Sequence, residues 1–449
     1  RRLQGRTPDD PPDPVRSERG GAVSVFGESS RFSMTGGTIS GCTADSGGAI
    51  FVEGGKVHLT DTNISGCTTA VFIDGELEKS RAGGGGGALC VHGGAFVSIS
   101  GCSIVDCGTT VPCPSSCGGG GGLKVTASDI LLTSTIIMRC SIGGDGGGFQ
   151  MGHASTLRAL HSVLSHCQSK DAAGFYIDSD WDVESTVTIF THSIIMHCTA
   201  STWGGAGSAD KNARIYMNHC SITSCFGGLG GGFRVDRGGE MVLTDSTMTD
   251  CLASLNDGGG IMVRMLSYLH LNRTTVVGCH GHARGGGFFV SFSEFVLRDC
   301  SLMECRAHEG GGLSVQDGST VFVVGSNITR CHGTARGGGV MMNNGVLLLM
   351  NRTKMWDNTG ALGKNMLVEG GTATYVLPAP PAHWVPASLC KVYRNVCPDG
   401  DHVCKNVHDA CSYRANASGS VDGVECQPVT FTQPCDWAQS PHIVGRHVH

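Results

Sequence analysis

The sequence predicts an all-β fold, a right-handed parallel β-helix of about 12–13 coils followed by a small disulfide-rich C-terminal module. Three observations predict it. Glycine fills 70 of the 449 positions, about 16% against a usual share of about 7%. A Gly-Gly-Gly-apolar tetrapeptide recurs along most of the chain, and a second motif ending in cysteine recurs midway between its copies.

The tetrapeptide appears at Gly85-Gly86-Gly87-Ala88, Gly120-Gly121-Gly122-Leu123 and Gly146-Gly147-Gly148-Phe149, and again from Gly230, Gly258, Gly285, Gly310 and Gly337. Variants stand at Gly47-Gly48-Ala49-Ile50 and Ala172-Ala173-Gly174-Phe175, with a degenerate copy around Gly204-Gly205. From Gly232 the third glycine recurs after 28, 27, 25 and 27 residues. Longer gaps hold insertions at Ile73–Ala82 and Thr109–Cys117. Such a triplet belongs at a corner, where positive φ or close approach of backbones excludes a side chain.

The second motif reads small, any, aliphatic, any, any, Cys. Its last position is Cys42, Cys67, Cys107, Cys140, Cys167, Cys198, Cys225, Cys251, Cys279, Cys305 and Cys331, and then Asn358. Three residues earlier stands an aliphatic residue, as at Ile39, Ile64, Ile195 and Met248. Further upstream apolar residues alternate, as in Val57/Leu59, Phe295/Leu297 and Val321/Val323. Each repeat therefore holds three short period-2 segments separated by turns. Only stacked coils repeat one inward pattern in register a dozen times, so the cysteines should form an inward ladder. Rungs about 4.8 Å apart permit disulfides by Cα spacing but keep Cβ atoms wider than disulfides prefer. Most ladder cysteines are expected to pack as buried thiols, with Cys102, Cys220 and Cys300 at the small-residue position.

An aliphatic residue three before a ladder residue, alternating with Gly-Gly-Ala-Ile, resembles the repeat of polymorphic outer membrane proteins, part of the pectate-lyase-like superfold. Gly47-Gly48-Ala49-Ile50 matches that tetrapeptide outright, whereas the Phe-x-x-Asn half reads Ile-x-x-Cys here, with asparagine kept at Asn358. The resemblance covers about residues 20–370 and implies a surface-exposed, adhesin-like or structural β-helix. No membrane-barrel segment follows the repeats in this sequence, so the autotransporter arrangement does not carry over.

Residues 1–19 are proline-rich and charged, an expected extended arm; residues 20–371 are the β-helix and residues 372–449 the C-terminal module. That module carries Cys390, Cys397, Cys404, Cys411, Cys426 and Cys435, a set with 15 possible pairings. It loosely resembles the cysteine-rich tails that follow such repeats in large extracellular proteins of unicellular algae. Cys113 and Cys117 are expected to form a local disulfide.

Twenty-three cysteines indicate an oxidising route, so an extracellular or cell-surface location is expected. A chain that opens on Arg1 without an apolar leader reads as a processed product or a fragment. Sequons at Asn63, Asn272, Asn327, Asn351 and Asn416 are candidate glycosylation sites. A net charge of −6 without a basic stripe argues against nucleic acid, and no apolar run approaches the roughly 18 residues of a membrane span.

A β-helix can also be a polysaccharide lyase or glycoside hydrolase, which needs grouped carboxylates with a cation on neighbouring coils. Asp245, Asp299, Asp61 and Asp250 are the candidates, and their positions read equally as turn residues. The expected function is non-enzymatic: a structural or adhesive β-helix, with no catalytic, cofactor or metal residues assigned. The His-Cys neighbours His166-Cys167, His197-Cys198, Cys279-His280 and Cys331-His332 should point apart rather than share zinc. Asp257, Arg284, Glu309 and Arg336 precede four successive triplets and should stack as alternating surface charges, so that Arg284→Glu would cost little. Lacking a recognisable cap, the chain is expected to join its own copies head to tail, or to bind other surface proteins and glycans.

Overall fold

The computed structural model describes residues 17–69, 85–109, 119–179, 185–351 and 353–376, with the backbone of two further short strands, Tyr393–Arg394 and Val403–Cys404. All regular structure among them is β-strand. Two compact units divide the chain, residues 1–201 and 202–449. Among the described residues each contains six full turns of a parallel β-helix, and the second runs on into Met366–Val368 and Gly371–Val376.

One turn of the first unit shows the plan: Ile50–Glu53, Lys56–Thr60, Asn63–Ser65 and Thr68–Thr69. These strands contribute to four parallel sheets, and each pairs in register with its counterpart one turn on, as Val57 with Val97 and Ile64 with Ile104. The second unit repeats this, as Phe233–Val235 pairs with Ile261–Arg264 and Glu240–Thr244 with Tyr268–Asn272. A turn thus has four strands where the sequence pattern suggested three segments. The corner is the reason: the residue before each ladder cysteine takes a left-handed φ, as at Gly66, Asp106, His166 and Asp250, and splits one expected segment in two.

Period-2 alternation turns one set of side chains inward, and these make the core of each unit. Val57, Leu59, Ile64, Phe295, Leu297, Val321 and Val323 are at most 1% exposed. The residue after the triplet points inward, and in four turns it is phenylalanine, with Phe149, Phe175, Phe233 and Phe288 fully covered. In most triplets the first glycine holds positive φ, as Gly146 at 69° and Gly285 at 64°. The second lies where a neighbouring turn's carbonyl crosses: a Cβ on Gly259 would sit 2.3 Å from the oxygen of Gly286. One register differs from the expected alignment. Leu89, not Ala88, pairs with Ile50 and Leu123, so the corner of that turn is Gly86-Gly87-Ala88.

Both expected domain boundaries shift. Ser17–Arg19 is a strand paired with Thr43–Ser46, so the end of the arm already belongs to a sheet. Gly371–Val376 continues the second sheet beside Gly345–Met350, past the boundary at 371. An open strand edge recruits the adjacent chain in both places. Beyond it, Tyr393–Arg394 lies antiparallel on Gly371–Val376, and Val403–Cys404 on Met366–Val368. The remainder of the C-terminal module, with the side chains of all six of its cysteines, lies outside the described residues, as do Cys113, Cys117, Asn416 and the insertion at Ile73–Ala82.

Corners also need partners for buried N–H groups, and two ladders of small residues supply them. Thr135 N donates to Ser162 Oγ at 3.2 Å, and Ser162 N to Ser193 Oγ at 3.1 Å. In the second unit Cys220 N donates to Ser246 Oγ at 3.0 Å and Cys300 N to Ser326 Oγ at 3.0 Å. A second such row joins Ser267 N to Ser293 Oγ and Ser293 N to Ser319 Oγ.

Candidate functional site

The densest cluster of charge lies on the outer face of the first sheet in the unit of residues 202–449. Strand Phe233–Val235 turns Phe233 and Val235 into the core, so alternation aims Arg234 outward between Ser208 and Met262 of the adjacent strands. Outward does not mean exposed here. Trp203, on the loop entering the sheet, lies against Arg234 with the guanidinium carbon 4.3 Å from the ring centroid. Arg234 is 3% exposed.

At the strand ends the same register places Asp210 and Asp236 on successive turns, both 0% exposed. Arg234 hydrogen-bonds Asp236 and stands 3.8 Å from Asp210. Arg237 forks onto both oxygens of Asp210, with Nε to Oδ1 at 2.6 Å, and Arg264 Nε reaches Asp236 Oδ2 at 2.9 Å. Backbone N–H groups of Lys211 and Arg237 donate to Asp210 and Asp236, each at 3.0 Å. Three guanidinium groups therefore surround two carboxylates in a closed, charge-assisted network.

Two carboxylates on adjacent turns beside arginine is the grouping that glycan-cleaving chemistry requires. The geometry opposes that use. Each carboxylate oxygen already accepts from arginine or backbone, both carboxylates are sealed from solvent, and a general acid must be reachable by its substrate. The arrangement can lock turns together. It escaped the sequence because Asp210 and Asp236 stand in different repeats, and the Trp203 loop that covers Arg234 is not periodic. The readable signal is Arg234 itself, a cation in the strand after a glycine triplet where Phe51, Met262 and Phe289 stand elsewhere, a position that Lys124 shares in the first unit.

The carboxylates singled out from sequence lie elsewhere. Asp61, Asp245, Asp250 and Asp299 all occupy left-handed corner positions with φ of 49–52°. Arg273 forks onto Asp245 at 2.6 and 2.7 Å and holds its carboxyl below the ordinary range, which keeps it ionised. The charged row does stack: Arg284 forks onto Asp257 at 2.8 and 2.9 Å, and Arg336 lies 3.7 Å from Glu309. It is not wholly a surface row. Asp257 is 5% exposed, and Arg284 also donates to Gln316 Oε1 at 2.6 Å while covering Phe289. Arg284→Glu is therefore expected to cost about 1–3 kcal/mol, because it strands a mostly buried carboxylate beside a new one. The shift of the urea midpoint measures this; an unchanged midpoint would return the row to the surface.

The His-Cys neighbours diverge. Cys167 and Cys198 are buried while His166 and His197 are exposed and pack on each other with centroids 5.0 Å apart. His280 and His332 are likewise exposed beside buried Cys279 and Cys331. Among the described residues no group of three or more His, Cys, Asp or Glu is arranged to hold a metal.

The ladder cysteines form one interior column in each unit: Cys42, Cys67, Cys107, Cys140, Cys167 and Cys198 in the first, and Cys225, Cys251, Cys279, Cys305 and Cys331 in the second. Flanking pairs fix the register, Ser40 with Ser65 and Thr43 with Thr68 around Cys42 and Cys67. All are buried thiols except Cys42, which is half-buried. Each thiol points to the carbonyl two residues back, as Cys67 Sγ to Ser65 O at 3.4 Å. Several also reach a carbonyl of the preceding turn, as Cys140 Sγ to Ile104 O at 3.8 Å. Burial, followed by the neighbouring Cys140 and Cys198 thiols, raises Cys167 well above the ordinary thiol range. Burial pushes Cys300 up to about 11. At the far end Asn358 replaces the thiol, accepting from Cys331 N at 2.8 Å and donating to Ile328 O at 2.9 Å.

Residues 229–359 match a family model described as the right handed beta helix region. That stretch includes Arg234, Asp236, Arg264 and the ladder from Cys251 to Asn358. A search of curated proteins returned no match. No helix among the described residues is long and apolar enough to cross a membrane.

Proposed function

We propose that this chain is a non-enzymatic extracellular β-helix with a structural or adhesive role, presenting an apolar corner to other copies of itself or to surface proteins and glycans. One observation carries the reading. At the corner between the first and second sheets, Met265, Leu266 and Phe292 are 48%, 87% and 60% exposed, on adjacent turns. All three hold left-handed backbone, with φ of 57°, 61° and 48°. Other turns place Gly93, Asn212, Gly238 or Asn344 at this corner, or the polar His153, Lys211 and Arg237, and none of these is a large apolar side chain. Bulky apolar residues in that conformation cost about 1–3 kcal/mol each and persist where function compensates. The saturated Asp210/Asp236 network supports the non-enzymatic half of the reading. The antiparallel partners on Met366–Val368 and Gly371–Val376 occupy strand edges that head-to-tail addition would use, which favours contact through corners.

Sedimentation of the full chain at rising micromolar concentration tests it. Self-association is expected, and a Leu266→Asn/Phe292→Asn variant should remain folded and monomeric. A variant that associates as the parent does would remove the corner from the reading. The catalytic alternative has its own outcome: release of reducing or unsaturated ends from pectate, alginate or xylan, lost in Asp236→Asn, would replace the proposal.

A secreted chain should also carry glycans. Asn63 and Asn351 are exposed, whereas Asn272 and Asn327 are half-buried within strands. Mass mapping of material secreted from a eukaryotic host is expected to find glycan at Asn63 and Asn351 in preference to the other two. Equal occupancy of all four would contradict this ranking.

A further inference from the structure

The thiol column of the first unit is not uniform, and its outer end has the properties of a reaction site. Cys67, Cys107, Cys140, Cys167 and Cys198 are buried, and Cys42 alone in that column meets solvent. Cys42 and Cys67 are in register on successive turns, with Thr68 N donating to Cys42 O at 2.8 Å, and each thiol donates to the carbonyl two residues back. Rung spacing of about 4.8 Å places their Cα atoms within the disulfide range, but their Cβ atoms must draw together by several tenths of an ångström. The interior rungs resist that movement because each is paired on both sides. The first turn is held less: among the described residues, Val23–Phe26, Arg31–Thr35 and Thr38–Ser40 pair only with the turn that follows, and Thr43–Ser46 alone also has a partner on the other side, Ser17–Arg19.

We propose that Cys42 and Cys67 form a reversible inter-turn disulfide, a redox modification site for low-molecular-weight disulfides, while the column behind them stays as thiols. The chemistry balances as two exchanges. The Cys42 sulfur, having given up its proton, attacks one sulfur of the small disulfide; that S–S bond breaks and the departing thiolate takes a proton. The Cys67 sulfur then attacks the Cys42 sulfur of the mixed disulfide, expelling the second small thiolate, which takes the Cys67 proton. Two protein thiols are oxidised and one small disulfide is reduced to two thiols. The product is neutral, which suits a dry interior. Burial first and then the neighbouring Cys67 thiol raise Cys42, and the neighbouring Cys107 thiol followed by burial raises Cys67 much further. Entry at Cys42 is therefore favoured, and the second exchange is the slow one.

Oxidised glutathione is the probe. The full chain, purified reduced and freed of reductant, is incubated with it, denatured, alkylated without reduction and mapped by mass. A Cys42–Cys67 linked peptide is expected to accumulate while Cys107, Cys140, Cys167 and Cys198 are alkylated. Cys42→Ser and Cys42→Ala should lower cross-linking within the column at least tenfold, and Cys331→Ser should leave the Cys42–Cys67 bond unchanged. Three results would each overturn the proposal: a lasting glutathione adduct on Cys42 with Cys67 free, an all-thiol column, or interior pairs that oxidise as fast without Cys42.

Discussion

Gly286→Ala is expected to destabilise the 202–449 unit by more than about 4 kcal/mol, in the range reserved for a steric clash with no escape. A Cβ at that position would lie 2.2 Å from the oxygen of Gly311 and 2.4 Å from the nitrogen of Arg306. Both are backbone atoms of the next turn, held there by the same parallel pairing that defines the fold. Relief would require separating two turns and losing the sheet hydrogen bonds between them. Gly318→Ala is the matched control. Its φ is +74° and a Cβ there would meet nothing within 4 Å, so only the left-handed backbone penalty of about 1–2 kcal/mol is expected. Urea unfolding followed by circular dichroism compares them, and equal midpoints would show that the stacked turns can spread to admit a methyl group.

Asp236→Ala should be the costliest charge deletion in the same unit, at about 3–5 kcal/mol. The carboxylate accepts from Arg234, Arg264 and the Arg237 N–H, so its removal leaves cations facing one another in a space closed to water. Arg264 keeps 31% of its side chain in solvent and can swing outward; Arg234, at 3% and covered by Trp203, cannot. Removing the cation as well tests this cause. Asp236→Ala combined with Arg234→Met should recover much of the loss, because an apolar group in place of a buried pair is often neutral. A double variant no better than the single one would point to lost packing instead of stranded charge.

What the sequence disclosed and what it concealed divide along one physical line. Corners and inward faces are written locally: a triplet glycine must bend or be crossed, and Val57/Leu59 or Phe295/Leu297 alternate within a single strand. Stacking adds only a translation, so the ladder from Cys42 onward could be read by counting. The outer face of the first sheet could not. Phe51, Tyr176, Ser208, Arg234, Met262 and Ser314 all point away from the core and are all buried; Trp203, on a loop, covers Arg234, while Phe26, His92 and Arg19 pack on Phe51. Loop paths follow no period. That is why Asp210 and Asp236 went unnoticed while Asp245 and Asp299, more conspicuous in sequence, are corner residues. The fourth strand of each turn was hidden for a related reason: a left-handed residue such as His166 or Asp250 is not glycine and gives no sign of the bend.

The corner ladders give each unit a polarity. In every rung of the type Thr135 to Ser162, Cys220 to Ser246 or Ser293 to Ser319, the amide belongs to the earlier turn and the side chain that receives it belongs to the later one. The serine meanwhile satisfies itself within its own turn, as Ser162 Oγ does by donating to Leu160 O at 3.0 Å. Shortening a unit from its two sides is therefore not equivalent. Deleting leading turns removes donors and leaves hydroxyls already bonded at home; deleting trailing turns strips acceptors and leaves buried amides bare. A different corner ends in the same way where the thiol column stops: Asn358 of the later turn takes the amide of Cys331 on its side-chain oxygen and returns its own amide group to Ile328 O. A shortened variant would thus begin wherever convenience dictates, but could stop cleanly only at a turn furnished with such a side chain.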